Sequence, residues 1–195
     1  MNTKLLLYTG YLVPVSFWST TILSGCIFGD YNHATRLVSE LGAIGTRSQY
    51  LFMTGFILTA ILSVLFVLGL YKTCRRTGLH SFPVFFILTF SFSILGAALF
   101  PLPLPLHGIL GMPSVLLFLS PLLGFLLWPD KKVSGIKMAS LVAFSIMLLG
   151  FLVFLPNVLS EYPGLKQRFF HAGWTIWFVY LSYRFNGLIE KIEIR

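Results

Sequence analysis

Apolar residues in this chain run in long blocks, and polar, proline or glycine positions separate the blocks. From Leu5 to Phe28, Tyr50 to Tyr71, Phe82 to Phe100, Gly108 to Trp128, Met138 to Leu159 and Leu165 to Tyr183, most positions are apolar or small. Each block holds about 20 residues, the length at which an α-helix rising 1.5 Å per residue crosses a hydrocarbon core of about 30 Å. Alternation would mark strands, and a stripe at every third or fourth position a helix with one wet face. Blocks apolar on all sides mark helices bounded by lipid and by each other. The pattern predicts an all-α, polytopic membrane protein, with six transmembrane helices forming one domain over residues 1–195. Gly29-Asp30, the basic run Lys72 to Arg76, Pro101, Pro129-Asp130 and Pro163-Gly164 punctuate the blocks. The repeat Pro101-Leu102-Pro103-Leu104-Pro105-Leu106 predicts a stiff extended connector.

Composition narrows the class. Hydrophobic residues make up 56% and charged residues 10% of the chain, against roughly a quarter charged in a soluble domain. A solvated globular enzyme and a disordered chain are excluded. The net charge of +8 comes without a basic stripe interleaved with aromatics, so nucleic acid is not a partner. Topology accounts for the charge. With the N-terminus inside, Lys4, Lys72, Arg75, Arg76, Lys131, Lys132, Lys137, Arg184, Lys191 and Arg195 fall on the inner side and only Arg36, Arg47, Lys166 and Arg168 on the outer. This bias predicts both termini in the cytoplasm and a multi-pass protein of the cell's inner membrane. Tyr8, Tyr71, Trp128 and Tyr183 at inner ends, with Tyr50 and Tyr162 at outer ends, fit aromatic belts.

Two short signals concern the first span. Leu23-Ser24-Gly25-Cys26 has the form of a lipoprotein box, but the preceding apolar run is long enough to span, so residues 5–28 read as an uncleaved helix. Gly25 and Gly29 then predict a small-residue contact with a neighbouring helix, as do Gly108 and Gly111 in the fourth span. Cys26 and Cys74 lie near opposite ends of the first hairpin, too far apart for a disulfide.

Candidate chemistry collects on the outer side. In DYNHATRLVSELGAIGTRSQ, residues 30–49, Asn32 or Thr35 predicts the start of a short helix stopped at Gly42, on which Arg36 and Glu40 are four apart and can pair. His107 falls at the mouth of the fourth helix, where a neutral imidazole can take a proton or bind a metal. In EYPGLKQRFFHAGWTIW, Arg168 and His171 are three apart, with Trp174 and Thr175 continuing their face. Arg168 and Arg184 lie about 24 Å apart at helical rise, less than the hydrocarbon core, so one must snorkel or turn inward. Three of the four histidines, His33, His107 and His171, thus share a side with Asp30, Glu40 and three arginines. A shared outward-facing pocket is expected.

NHATRLVSELGAIG after the first span, FP followed by HG at the third connection, and GLKQR opening the last span resemble the pattern of small six-helix bacterial and archaeal membrane proteins catalogued as domain of unknown function 998. A more distant similarity is to the Frag1, DRAM and Sfk1 group. The matching positions are Ser39, Glu40, Gly42, Pro101, His107, Gly164 and Arg168, although PLPLPLHG is more proline-rich than the family pattern. The resemblance implies membrane placement and no settled reaction.

Three function classes fit these residues. In the first, Arg36, Arg47 and Arg168 hold the phosphate or carboxylate of a lipid or isoprenoid amphiphile, beside Trp174, and the protein binds, remodels or moves it. The second is a non-catalytic structural subunit whose outer loops meet another copy or a membrane protein partner. The third is a metal-dependent lipid hydrolase. There His33, His107 and His171 ligate zinc, Glu40 serves as general base and Ser39 polarises the substrate, so Glu40, Ser39, His107 and His171 are the catalytic candidates. No cofactor other than that zinc is implied.

Overall fold

The computed structural model describes residues 2–193, which form helices and loops without strands. Arg195 of the inner basic set lies outside the described residues. Six long helices follow in order: α1 (Thr3–Phe28), α2 (Gln49–Thr77), α3 (Phe82–Leu99), α4 (Pro105–Leu127), α5 (Ile136–Phe154) and α6 (Pro163–Glu193). The first five are long and apolar enough to cross a membrane. α6 is the longest at 31 residues and carries charges near both ends. Its middle is enclosed by the bundle, with Trp174, Trp177, Phe178, Leu181 and Phe185 fully buried.

Each helix packs against the next in chain order, and α6 closes the ring on α1. Small residues permit the closest approaches. A Cβ on Gly173 of α6 would lie 2.7 Å from the Met147 backbone nitrogen of α5, and one on Gly69 of α2 would lie 3.0 Å from the Leu7 nitrogen of α1. The glycines expected to make helix contacts serve otherwise. Gly25 accommodates the His33 ring, Gly29 ends α1 with φ 100°, a Cβ on Gly108 would meet nothing within 4 Å, and one on Gly111 would only touch Ala97. The two ends of the bundle differ. The terminal end holds the start of α1 and the end of α6, where Lys4 pairs with Glu193 at 3.0 Å; the loop end holds residues 29–48, 100–104 and 155–162.

Several element ends depart from the sequence reading for local reasons. α2 runs past Tyr71 to Thr77, because Lys72, Arg75 and Arg76 suit the negative end of a helix dipole, and Gly78 then stops it in the left-handed conformation with its N–H on the Cys74 carbonyl. α5 ends at Phe154, not Leu159. Pro156 forces Leu155 into an extended conformation, and the last turn tightens to 3₁₀. α4 contains a 3₁₀ stretch, Met112–Phe118, where Pro113 interrupts the regular ladder. The proline repeat is not extended. Residues 101–104 make a turn with a cis Leu102–Pro103 bond, the Leu104 N–H bonds the Pro101 carbonyl at 3.0 Å, and Pro105 already opens α4. Trp128, placed in the inner aromatic belt from sequence, is instead fully buried, donating its indole N–H to the His80 carbonyl at 2.7 Å.

Candidate functional site

At the loop end, Asn32 begins a turn and not a helix. Its side-chain oxygen accepts the Ala34 N–H and its carbonyl the Arg36 N–H. A single 3₁₀ turn, Val38–Gly42, follows. In that geometry Glu40 reaches back to accept the Leu37 N–H at 2.8 Å, the ordinary service of an acidic residue to a free helix-start amide. The expected Arg36–Glu40 ion pair is not among the salt bridges of the described residues. Arg36 lies over the Phe28 ring, its guanidinium 5.1 Å from the centroid, and Arg47 is exposed.

Arg168, one turn into α6, ties this loop down. One terminal nitrogen donates to the Arg36 carbonyl at 3.0 Å and the Gly164 carbonyl at 2.9 Å; the other donates to the Tyr31 hydroxyl at 2.9 Å and to His33 Nδ1 at 3.0 Å. All four hydrogens of its two terminal nitrogens are thereby spent on uncharged acceptors. Tyr31 passes its own proton to the Leu37 carbonyl at 2.9 Å. Burial raises the Tyr31 pKa against the pull of Arg168. Since His33 Nδ1 accepts, its proton sits on Nε2. Burial, and secondly the Arg168 charge, lowers the His33 pKa and keeps this ring neutral. Two further bonds complete the latch: the Gln167 side-chain oxygen accepts the Val38 N–H at 2.8 Å, and the Ala34 carbonyl accepts the Leu165 N–H at 2.8 Å. Gly164 is needed here because a side chain would run into the Arg36 and His33 carbonyls.

Beneath the latch lies a cavity of about 320 Å³. Leu37, Val38 and Ser39 of the loop border it, with Phe17 of α1, Phe52 and Phe56 of α2, Ser93 and Ile94 of α3, His107 of α4, Phe151 of α5, and Gln167, Phe170 and His171 of α6. Among the described residues, no charged side chain borders it. Of the sequence candidates, Ser39, His107 and His171 meet at this cavity, whereas His33, Arg36, Glu40, Arg47, Arg168 and Trp174 do not border it. Trp174 belongs to the core, within ring contact of Phe17, Phe90 and Phe178.

The tautomers of both cavity histidines follow from their partners. His107 Nδ1 faces the Phe100 carbonyl at 2.9 Å; a carbonyl only accepts, so Nδ1 carries the hydrogen. His171 Nδ1 accepts the Trp174 indole N–H at 3.0 Å, which leaves the hydrogen on Nε2. That Nε2 and Ser93 Oγ are buried and have no hydrogen-bond partner among the described residues. The three histidines expected to ligate zinc therefore do not converge. His33 is engaged with Arg168 and His107 with Phe100, and among the described residues no three His, Cys, Asp or Glu side chains are grouped to hold a metal ion. Sequence reasoning missed Ser93 and Gln167. A serine inside a span was the available signal for the first; nothing distinguished Gln167 from a surface residue beside Arg168.

Fold and site together define a multi-pass helical membrane protein with an apolar cavity bordered by a few uncharged polar groups. The chain belongs to the family described as Protein of unknown function (DUF998), whose model matches residues 11–184. No curated protein and no solved structure matches it, and the comparisons do not show the more distant likeness to the Frag1, DRAM and Sfk1 group.

Proposed function

We propose that this protein binds one lipid or isoprenoid-type amphiphile in the cavity at its loop end, to hold, remodel or move it. The observation that carries this reading is the cavity itself, about 320 Å³ bounded mainly by aromatic and aliphatic side chains with a few polar groups. Ligand pockets start near about 300 Å³. A cavity of about 150 Å³ holds benzene, so this one takes roughly a dozen non-hydrogen atoms. Arg168 is occupied by the loop, so recognition inside the cavity falls to Ser39, Ser93, His107, Gln167 and His171. Arg36 and Arg47 are left for any charged portion outside. The reading includes α6 as a sixth span and both termini in the cytoplasm of an inner membrane, supported by the surplus of Lys and Arg at the terminal end.

The test is native mass spectrometry of the protein extracted in mild detergent, followed by identification of what is retained. A bound amphiphile is expected, and Ala97→Phe, which places a ring at a cavity-lining position, lowers its occupancy at least tenfold. Equal retention by the variant, or no adduct beyond annular lipid, overturns the reading. The second outcome leaves a structural subunit whose loops meet a protein partner.

A further inference from the structure

We infer that the cavity ligand is uncharged where it meets the protein and presents there a carbonyl or hydroxyl oxygen to His171 Nε2–H and Ser93 Oγ. This rests on the amphiphile reading and names the chemistry of its ligand. His171 is 8% exposed and Ser93 2%, and both border the cavity. The His171 ring is packed against Phe17 with centroids 4.6 Å apart and close to Trp18 and Phe170. In such surroundings an unmet N–H is costly, and buried polar groups are nearly always partnered. Trp174 has already taken the acceptor nitrogen of the ring, so what remains is a donor, and its complement is an oxygen. Ser93 Oγ has no bond of its own, and a hydroxyl can donate or accept. A carbonyl oxygen can accept from both groups, and an alcohol can accept from His171 while donating to Ser93.

Charge at that position is disfavoured from either side. A carboxylate or phosphate in the cavity would find no cation among the described bordering residues, and the terminal nitrogens of Arg168 are spent on carbonyls, a hydroxyl and an imidazole. An ammonium would find no anion, since Glu40 does not border the cavity and is bonded to the Leu37 amide. Burying an unpaired charge is far more costly than burying a bonded neutral group.

The experiment uses the full chain in lipid nanodiscs, with histidine labelled with ¹⁵N, and four ten-carbon probes: 2-decanone, 1-decanol, decane and decanoate. Binding is measured above partition into protein-free discs. The His171 Nε2–H resonance is assigned by its disappearance in His171→Phe. Ketone and alcohol are expected to bind about tenfold more tightly than decane, the effect of one buried hydrogen bond, and to shift that resonance. In an Arg36→Ala/Arg47→Ala background, which removes the cations outside the cavity, decanoate is expected to bind no better than decane. Ser93→Ala, which removes only a hydroxyl, reduces the preference two- to threefold, and His171→Phe abolishes it. If decane binds saturably and as well as the ketone, with the resonance unmoved, water serves these atoms; the inference falls and the cavity reading stands. Tightest binding by decanoate overturns the inference in favour of an anion. If no probe binds saturably, both the inference and the amphiphile reading fall.

Discussion

Replacing Arg168 by alanine removes four hydrogen bonds at once, to the Arg36 and Gly164 carbonyls, the Tyr31 hydroxyl and His33 Nδ1. Bonds to a charged group contribute about 1.5–3 kcal/mol each. Four on one side chain do not add, and a loop at the edge of the bundle regains water when it opens. Taking the net as two such bonds gives about 3–6 kcal/mol, or at least a hundredfold in the opening equilibrium of residues 30–42. Hydrogen exchange reads this opening directly through the Arg36, Leu37, Val38 and Leu165 amides, whose partners are Asn32, Glu40, Gln167 and Ala34. In Arg168→Ala these amides exchange at least a hundredfold faster, while the middle of α2 and α3 is unchanged. Arg168→Lys, which keeps the charge but loses the planar fork, retains about half of the protection in energy. Raising the salt concentration has little effect, because the bonds run to neutral acceptors. Arg47→Ala, an exposed position, changes nothing. Protection in Arg168→Ala within threefold of the parent would refute the latch, and a loss that appears only when amphiphile is bound would reassign Arg168 to the ligand.

Two further outcomes follow from the same structure. Because the His33 pKa is lowered, first by burial and then by Arg168, its contribution to the latch is complete above the ordinary histidine value of about 6.5 and is lost as pH falls through the folded-state value. Protection of the loop amides, corrected for intrinsic exchange, is therefore flat from pH 7 to 8 and declines in acid, and His33→Gln removes the decline; protection independent of pH down to 5 contradicts this. For orientation, Cys26 is exposed and Cys74 buried, so a Cys26→Ser background needs no second change. In intact cells an impermeant maleimide then labels Arg47→Cys at once and Lys131→Cys only after permeabilisation, and the opposite order reverses the topology.

Where one residue decides an element by covalent constraint or sheer apolar length, the fold was legible from the chain. The six apolar blocks became six helices, and Gly29, Pro101 and Pro163 mark ends. What was not legible turned on competition among partners brought together only by folding. Glu40 could pair with Arg36 at helical spacing or cap the Leu37 amide, and the turn begun by Asn32 settles this for the amide. Trp174 shares a helix face with His171 as its spacing predicts, but its ring also meets Phe90 of α3, a contact between helices distant in sequence that no local pattern encodes. Ser39, His107 and His171 were selected as polar residues near one membrane surface, and they border one cavity because α4, α6 and the loop meet there.

The latch and the cavity share a wall. Leu37, Val38 and Ser39 line the cavity, and the same three residues follow the Arg36 carbonyl that Arg168 holds and include the Val38 amide that Gln167 holds. On α6, Arg168 holds the loop, Gln167 touches both loop and cavity, and Phe170 and His171 one turn later line the cavity. Opening the loop therefore removes part of the cavity wall, whereas filling the cavity leaves the Arg168 bonds in place. A ligand that touches Ser39 or Val38 binds only the latched state and must stabilise it in proportion to its affinity. Protonation of His33, which weakens the latch, must by the same linkage weaken that ligand.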